Sequence, residues 1–158
     1  MKLAPRALPE LLAGRRIASV TGTNGKTTTT HFLTAAVRAG TSDSQRSVVT
    51  NADGANLHHG IVSALGQAPD ATIAVLETDE RVVADVVAMG SPEVLVLLNF
   101  SRDQLDRNHE LTFLGRDWRV ALEKAAERGP TVVANACDPL IVWVCQKARH
   151  VIWVDTKP

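Results

Sequence analysis

The chain has 158 residues, 45% hydrophobic and 22% charged, and its 17 basic and 17 acidic residues cancel to a formal charge of zero. That length supports one domain around one core, and the balanced charge gives no basic surplus for nucleic acid and no acidic tail. No apolar run approaches the roughly 20 residues that span a bilayer, and Cys137 and Cys145 are too few and too widely spaced for a zinc knuckle or a redox pair, reading as thiols in a reducing compartment.

The opening stretch MKLAPRALPELLAGRR has prolines and charges but no continuous apolar core. It is no signal peptide, so residues 1–14 read as a lead-in and the cytoplasm as the default location. RRIASVT (15–21) reads as a first strand, rich in small and β-branched residues. Lys26 to Ala39 reads as a helix, with Phe32, Leu33, Ala36 and Val37 at three-and-four spacing. After the polar loop GTSDSQR (40–46), strands follow at SVVT (47–50), ATIAVLET (71–78) and EVLVLLNF (93–100). Glu110 to Glu127 carries the stripe Leu111, Leu114, Trp118, Leu122 and Ala125, a core-facing helix with Trp118 in the core. TVVA (131–134) and HVIWVD (150–155) complete six strands.

Most of these runs are continuously apolar rather than alternating, the pattern of strands buried on both faces of a parallel sheet. Strand–helix alternation therefore predicts an α/β fold: a mostly parallel, doubly wound sheet of about six strands, helices on both faces, right-handed crossovers. Ligands in such sheets bind at the carboxyl ends of the strands.

One of those ends is VTGTNGKTTTTHF, Val20 to Phe32. A helix N-terminus presents unbonded N–H groups and partial positive charge. Glycine lets the backbone curl close to an anion, a lysine at the mouth reaches outer phosphates, and the next hydroxyl binds Mg²⁺. Gly22, Thr23, Asn24, Gly25, Lys26 and Thr27 supply these parts between a strand and a helix. Val20 stands where the standard phosphate loop has its first glycine, so this is the shorter Gly-x-x-Gly-Lys-Thr form. The other reading is a structural glycine turn. Threonine is a mediocre helix former, so Thr28 and Thr29 are further candidates for phosphate contact.

The loop resembles that of the Mur ligases, ATP-dependent enzymes of cell-wall precursor synthesis. VLETDE places Glu77 where that family carries a Mg²⁺-binding glutamate. LLNFSRDQLDR follows strand four as the family's Asn-x-x-x-Asp-His-x-Asp-Arg segment does, and VVANACDPL resembles the turn that approaches adenine. With TNADGAN, GIVSAL and NACDPLIVW added, the chain over residues 14 to 155 is most similar to the MurT-type, ligase-like subunits of lipid II isoglutaminyl synthase. The resemblance implies a P-loop-containing ATP-binding central domain spanning residues 1–158, without the zinc ribbon and closing C-terminal domain of the family.

Carried over residue by residue, the resemblance implies Lys26, Glu77 and Gln104 as catalytic residues and Thr27, Glu77 and Gln104 as Mg²⁺ ligands. Asn135 and Asp138 join Gly22–Thr28 around ATP. Asn51, Asp53, Asn56 and Arg107 face the acceptor substrate. Gln104 replaces the metal-binding histidine of amino-acid-adding relatives, Cys137 the first aspartate of the adenine turn, and Ala52 a larger residue. Each position has a plainer reading. Glu77 can be ion-paired with a nearby Lys or Arg, and Asp106 with Arg107. Asp79 and Glu80 can open the next helix. Asp138 can cap a helix with Pro139 in its first turn. The loop around Gly54 can be a capped turn, and His58 and His59 solvated.

The chemistry implied is activation of the D-glutamate α-carboxyl of a lipid II-type peptidoglycan precursor as an acyl phosphate, then amidation with ammonia from a GatD-like glutaminase subunit. The competing readings are an amino-acid-adding Mur-type or folylpolyglutamate-type ligase domain, or a nucleotide-binding module inactive by itself. No nucleic acid and no integral membrane segment are expected.

Overall fold

The computed structural model describes residues 6–41, 47–51, 54–100 and 108–155. Strands β1 (Arg16–Thr21), β2 (Val48–Thr50), β3 (Ile73–Glu77), β4 (Val94–Leu97), β5 (Thr131–Asn135) and β6 (His150–Val154) form one sheet in the order β2-β3-β1-β4-β5-β6. Every pairing between them is parallel. Helices α1 (Ala7–Leu12), α2 (Lys26–Ala39), α3 (His58–Gln67), α4 (Val83–Gly90), α5 (Asn108–Ala125) and α6 (Pro139–Cys145) surround it. The expected fold class and all six expected strands are present, with ends moved inward or outward by three residues at most.

The chain leaves β1 outward to β2 through α2 and thereafter steps back across the sheet. Right-handed crossovers then place α2 on one face and α3–α6 on the other. Packing agrees: α4 lies on α5, α5 on α6, and α1 on α3 and α4, whereas α2 lies on β1, β2 and β3. The crowded face holds the core. One part gathers Leu95, Leu97, Trp118, Leu122, Val132, Ile141 and Val144. The other gathers Leu8, Leu12, Ile17, Ile61, Leu65, Leu76 and Val86.

Three expectations change. The lead-in contains α1, whose Leu8 and Leu12 are buried in that second cluster. The α2 stripe is rotated: Thr30 and Thr34 are buried and Phe32 is 74% exposed. Thr30 tolerates burial because its Oγ1 donates to the Lys26 carbonyl one turn back, at 2.8 Å. The sheet is also not buried evenly. In β4 and β5 buried and half-buried residues alternate, and Ile152, Trp153 and Val154 of the edge strand β6 are exposed. With α2 confined to β1–β3, the same face of β4–β6 lacks a helix among the described residues. No helix among them is long and apolar enough to cross a membrane.

Candidate active site at the carboxyl rim of the sheet

The register aligns four strand exits on one rim: Val20 lies opposite Glu77, Thr21 opposite Leu97, and Leu97 opposite Ala134. The β1 exit is the glycine loop. Gly22 has φ 142° and Gly25, the N-cap of α2, has φ 83°, both in the region that favours glycine. No side chain caps α2, so its first-turn amides keep the donor capacity and partial positive charge of a helix start.

Two loop amides are already engaged. Thr23 N–H donates to the Asn99 carbonyl at 2.9 Å and Asn24 N–H to Asn99 Oδ1 at 2.9 Å. An anion bound here would therefore be met by the amides from Gly25 onward. Thr27 and Thr28, both exposed, stand in that first turn.

Lys26 folds back over the loop. Its Nζ donates to the carbonyls of Gly22 at 2.6 Å and Thr23 at 3.3 Å and pairs with Glu80 at 3.4 Å. Both partners of that pair are largely buried, with side chains 14% and 16% exposed. The Glu80 carbonyl in turn accepts from the Trp118 indole at 2.8 Å, which fixes the turn after β3 to the core helix α5. Asp79 and Glu80 precede α4 rather than opening it; Asp79 accepts the Arg81 amide at 3.0 Å and pairs with its guanidinium at 2.8 Å. Partial burial alone would raise the Asp79 pKa. The Arg81 hydrogen bonds, with the charges of Arg81 and Lys26, outweigh that and hold it below the usual value.

Glu77 is 2% exposed. Its Oε1 accepts from Asn56 Nδ2 at 2.9 Å, and its Oε2 is buried without a hydrogen-bond partner. Among the described residues the ion pair of its plainer reading does not form. Asn51 extends the sheet with its side chain: it accepts from Glu77 N–H and donates to the Glu77 carbonyl, both at 2.9 Å, and also donates to the Ala55 carbonyl. Asn51 and Asn56 thus hold Glu77, backbone and carboxylate. A buried carboxylate oxygen with no donor is unfavourable as it stands and suits a hard cation that takes oxygen ligands. Thr27 carries its hydroxyl in the first turn of α2, which follows the strand paired with that of Glu77, and a carboxylate with a hydroxyl is donor chemistry that fits Mg²⁺. Among the described residues no cluster of three or more His, Cys, Asp or Glu is assembled, and His58 pairs with Asp85 at 2.8 Å instead.

Asn135 and Asp138 reach the same rim, but their polar atoms serve the chain. Asn135 Nδ2 donates to the Leu98 carbonyl and its Oδ1 accepts from Cys137 N–H. Asp138 caps α6 as expected, accepting from Leu140 and Ile141 N–H, and its Oδ2 accepts from Phe100 N–H at 2.6 Å. Asp53, Gln104 and Arg107, together with Asp103, Asp106 and Ala52, lie outside the described residues. Asn99 leaves strand four in the segment expected to line the phosphate and metal region, but its hold on the loop, like the pairing of Glu80 with Lys26, goes beyond what the motif reads. The available signal was position: an acid just past a strand beside a phosphate-loop lysine, and an asparagine at the exit of the adjacent strand.

Comparison with known proteins identifies the family. Residues 20–155 match the Mur ligase middle domain. The chain is 33% identical over 127 residues to the lipid II isoglutaminyl synthase (glutamine-hydrolyzing) subunit MurT of Staphylococcus aureus (strain COL), covering 79% of this chain and 28% of that protein. It is 35% identical over 137 residues to the subunit of the same name from Streptococcus pneumoniae (strain ATCC BAA-255 / R6), covering 84% and 29%. A solved UDP-N-acetylmuramoyl-L-alanyl-D-glutamate–2,6-diaminopimelate ligase superposes with a TM-score of 0.63 at 23% identity, covering 91% of this chain and 32% of that one, a likeness of fold. The chain spans less than a third of the length of the relatives it matches.

Proposed function

The chain belongs to the Mur ligase family, and from that premise we propose that it is the ATP-binding domain of a MurT-type amide ligase. The observation that supports this most is the buried, unpartnered Oε2 of Glu77 on the strand beside the glycine loop. The reaction class is ATP-dependent activation of a carboxylate followed by amide formation. The proposed substrate is the D-glutamate α-carboxyl of a lipid II-type stem peptide, and the proposed nucleophile is ammonia from a GatD-like glutaminase subunit. The location that follows is the cytoplasmic face of the membrane.

Bound magnesium would neutralise charge on a transferring phosphoryl group. Glu77, Thr27 and Gln104 would hold it. The chain's own share is positioning and electrostatics. The α2 N-terminus accepts phosphate oxygens through its first-turn amides. Lys26 exchanges its contacts with Glu80 and the loop carbonyls for phosphate, a compact cation on a flexible stem. Asn56 orients the Glu77 carboxylate by donating to it, and Asn51 holds the backbone that carries it. Asp53 and Arg107 complete the proposed acceptor side, and the turn that Asn135 and Asp138 hold in shape forms the proposed adenine side. The chain spans less than a third of the length of its MurT relatives, and turnover by these residues alone is expected to be negligible.

The test is titration of Mg·ATP into the chain beside Lys26→Ala. Losing a charge-assisted contact to phosphate should weaken binding at least tenfold; equal affinity for the two proteins would remove the site. Mass analysis of lipid II after incubation with the full-length protein, a glutaminase subunit and glutamine then decides between amidation and amino-acid addition.

A further inference from the structure

We propose that Asn99 is a positioning residue that holds the phosphate loop in its anion-accepting shape and ties it to the turn after β5. The proposal rests on the nucleotide reading of the loop given above. Its basis is the hydrogen bonding of the segment 98–100. Asn99 treats Asn24 as a neighbouring strand would. Its Oδ1 accepts the Asn24 N–H at 2.9 Å, and its Nδ2 donates to the Asn24 carbonyl at 3.1 Å. Its own carbonyl accepts the Thr23 N–H at 2.9 Å. Three hydrogen bonds therefore fall on two consecutive loop residues, immediately before the Gly25 cap and the amides that remain to bind an anion.

The close approach that permits this clamp is written into Gly22. A Cβ there would lie 2.8 Å from Leu98 Cβ and 2.9 Å from the Asn99 nitrogen. The other side of the segment is braced by the β5 turn. Leu98 offers its carbonyl to Asn135 Nδ2 at 2.9 Å, and Phe100 its N–H to Asp138 Oδ2 at 2.6 Å. Leu98 N–H donates to the Thr21 carbonyl at 3.0 Å, closing the path back to β1. Asn135 and Asp138 thus act on the loop through residues 98–100. A displacement of the β5 turn reaches the phosphate loop through two side-chain hydrogen bonds and the Asn99 clamp. Fixing the loop before a ligand arrives removes the ordering cost that binding would otherwise bear.

The experiment uses the 158-residue chain and its Asn99→Ala and Asn135→Ala variants. Amide hydrogen exchange is read residue by residue without nucleotide, and binding is read with trinitrophenyl-ATP. In Asn99→Ala, exchange at Asn24 should accelerate about tenfold, amides of β4 and β5 should stay within about twofold of the parent, and affinity should fall about tenfold. Asn135→Ala should shift both readouts in the same direction by smaller factors. Unchanged exchange at Asn24 overturns the proposal. So does acceleration spread through the whole sheet, which marks a contact of general stability, and so does full affinity despite a loosened loop. A parent chain that binds no trinitrophenyl-ATP would defeat the nucleotide reading instead, and exchange at Asn24 would still decide whether Asn99 sets the loop's shape.

Discussion

Replacing Gly22 by alanine should be among the most damaging single-methyl changes this fold can suffer. The added Cβ meets Leu98 Cβ at 2.8 Å, Asn99 N at 2.9 Å and Asn99 O at 3.1 Å, and two of those three atoms are backbone. They cannot rotate away as the end of a flexible side chain would. The residue also sits at φ 142°, where an L side chain is strained. Overpacking of this kind costs about 1–3 kcal/mol and a positive φ about 1–2 kcal/mol, while alanine reduces unfolded-state freedom and returns about 0.4–1 kcal/mol. The net loss is about 1–4.6 kcal/mol, centred on ~3 kcal/mol. Gly14→Ala is the internal control, because Gly14 has φ 76° but nothing within 4 Å of its hypothetical Cβ; strain alone should cost about 1 kcal/mol there. With a slope of about 1–3 kcal/mol per molar urea, Gly22→Ala should lower the unfolding midpoint by about 1–2 M and Gly14→Ala by less than half as much. A Gly22→Ala loss equal to or below that of Gly14→Ala would refute the claim that β1 and the β4 exit touch because position 22 has no side chain.

Asp79 has a folded-state pKa below its usual 3.8. It therefore adds stability above that value, and the contribution is lost as pH falls through the lower folded value. Urea midpoints of the parent and Asp79→Asn should differ at pH 6 and converge as pH falls through the lowered folded-state value, and a gap that does not shrink as pH falls would mean that ionisation is not what Asp79 supplies. The two thiols should differ as strongly: burial raises Cys145 to about 12, whereas Cys137 is exposed, so native-state iodoacetamide should label Cys137 alone and unfolding should expose the second site to mass analysis.

The fold was legible where burial follows from one periodicity. Ile17, Val75, Leu95 and Val132 lie in runs that only a sheet interior accepts, and each is at most 2% exposed. Reading failed where an apolar residue had no partner among the described residues to bury it. Phe32 fits a helical stripe, yet α2 meets the sheet through Thr30 and Thr34, because the helix start is oriented by the glycine loop rather than by its most apolar side. HVIWV looks as buried as the other strands, but β6 is an edge strand and Ile152 is 55% exposed. A sequence window reports hydrophobicity and says nothing of whether a neighbouring element covers it. In the same way α1 escaped notice because six residues with two leucines inward are too short to show a period.

The site was legible by position and less so by role, for a reason rooted in asparagine and aspartate chemistry. Their short polar side chains satisfy main-chain groups as readily as they satisfy ligands. Asn51 pairs with the backbone of Glu77, Asn99 with that of Asn24, Asn135 with Leu98 and Cys137, and Asp138 with Phe100 and the first turn of α6. Four residues of ligand-like type at the rim are therefore framework that fixes how loops meet. Glu77 differs because its strand brings a carboxylate into the interior with one oxygen bonded and the other bare. Lys26 differs because its ammonium rests on two loop carbonyls and one glutamate, oxygen contacts of the kind a phosphate also offers. A bare acid at one strand tip and an exchangeable cation at the next are what a metal–phosphate pair requires, and the asparagines keep the two in register.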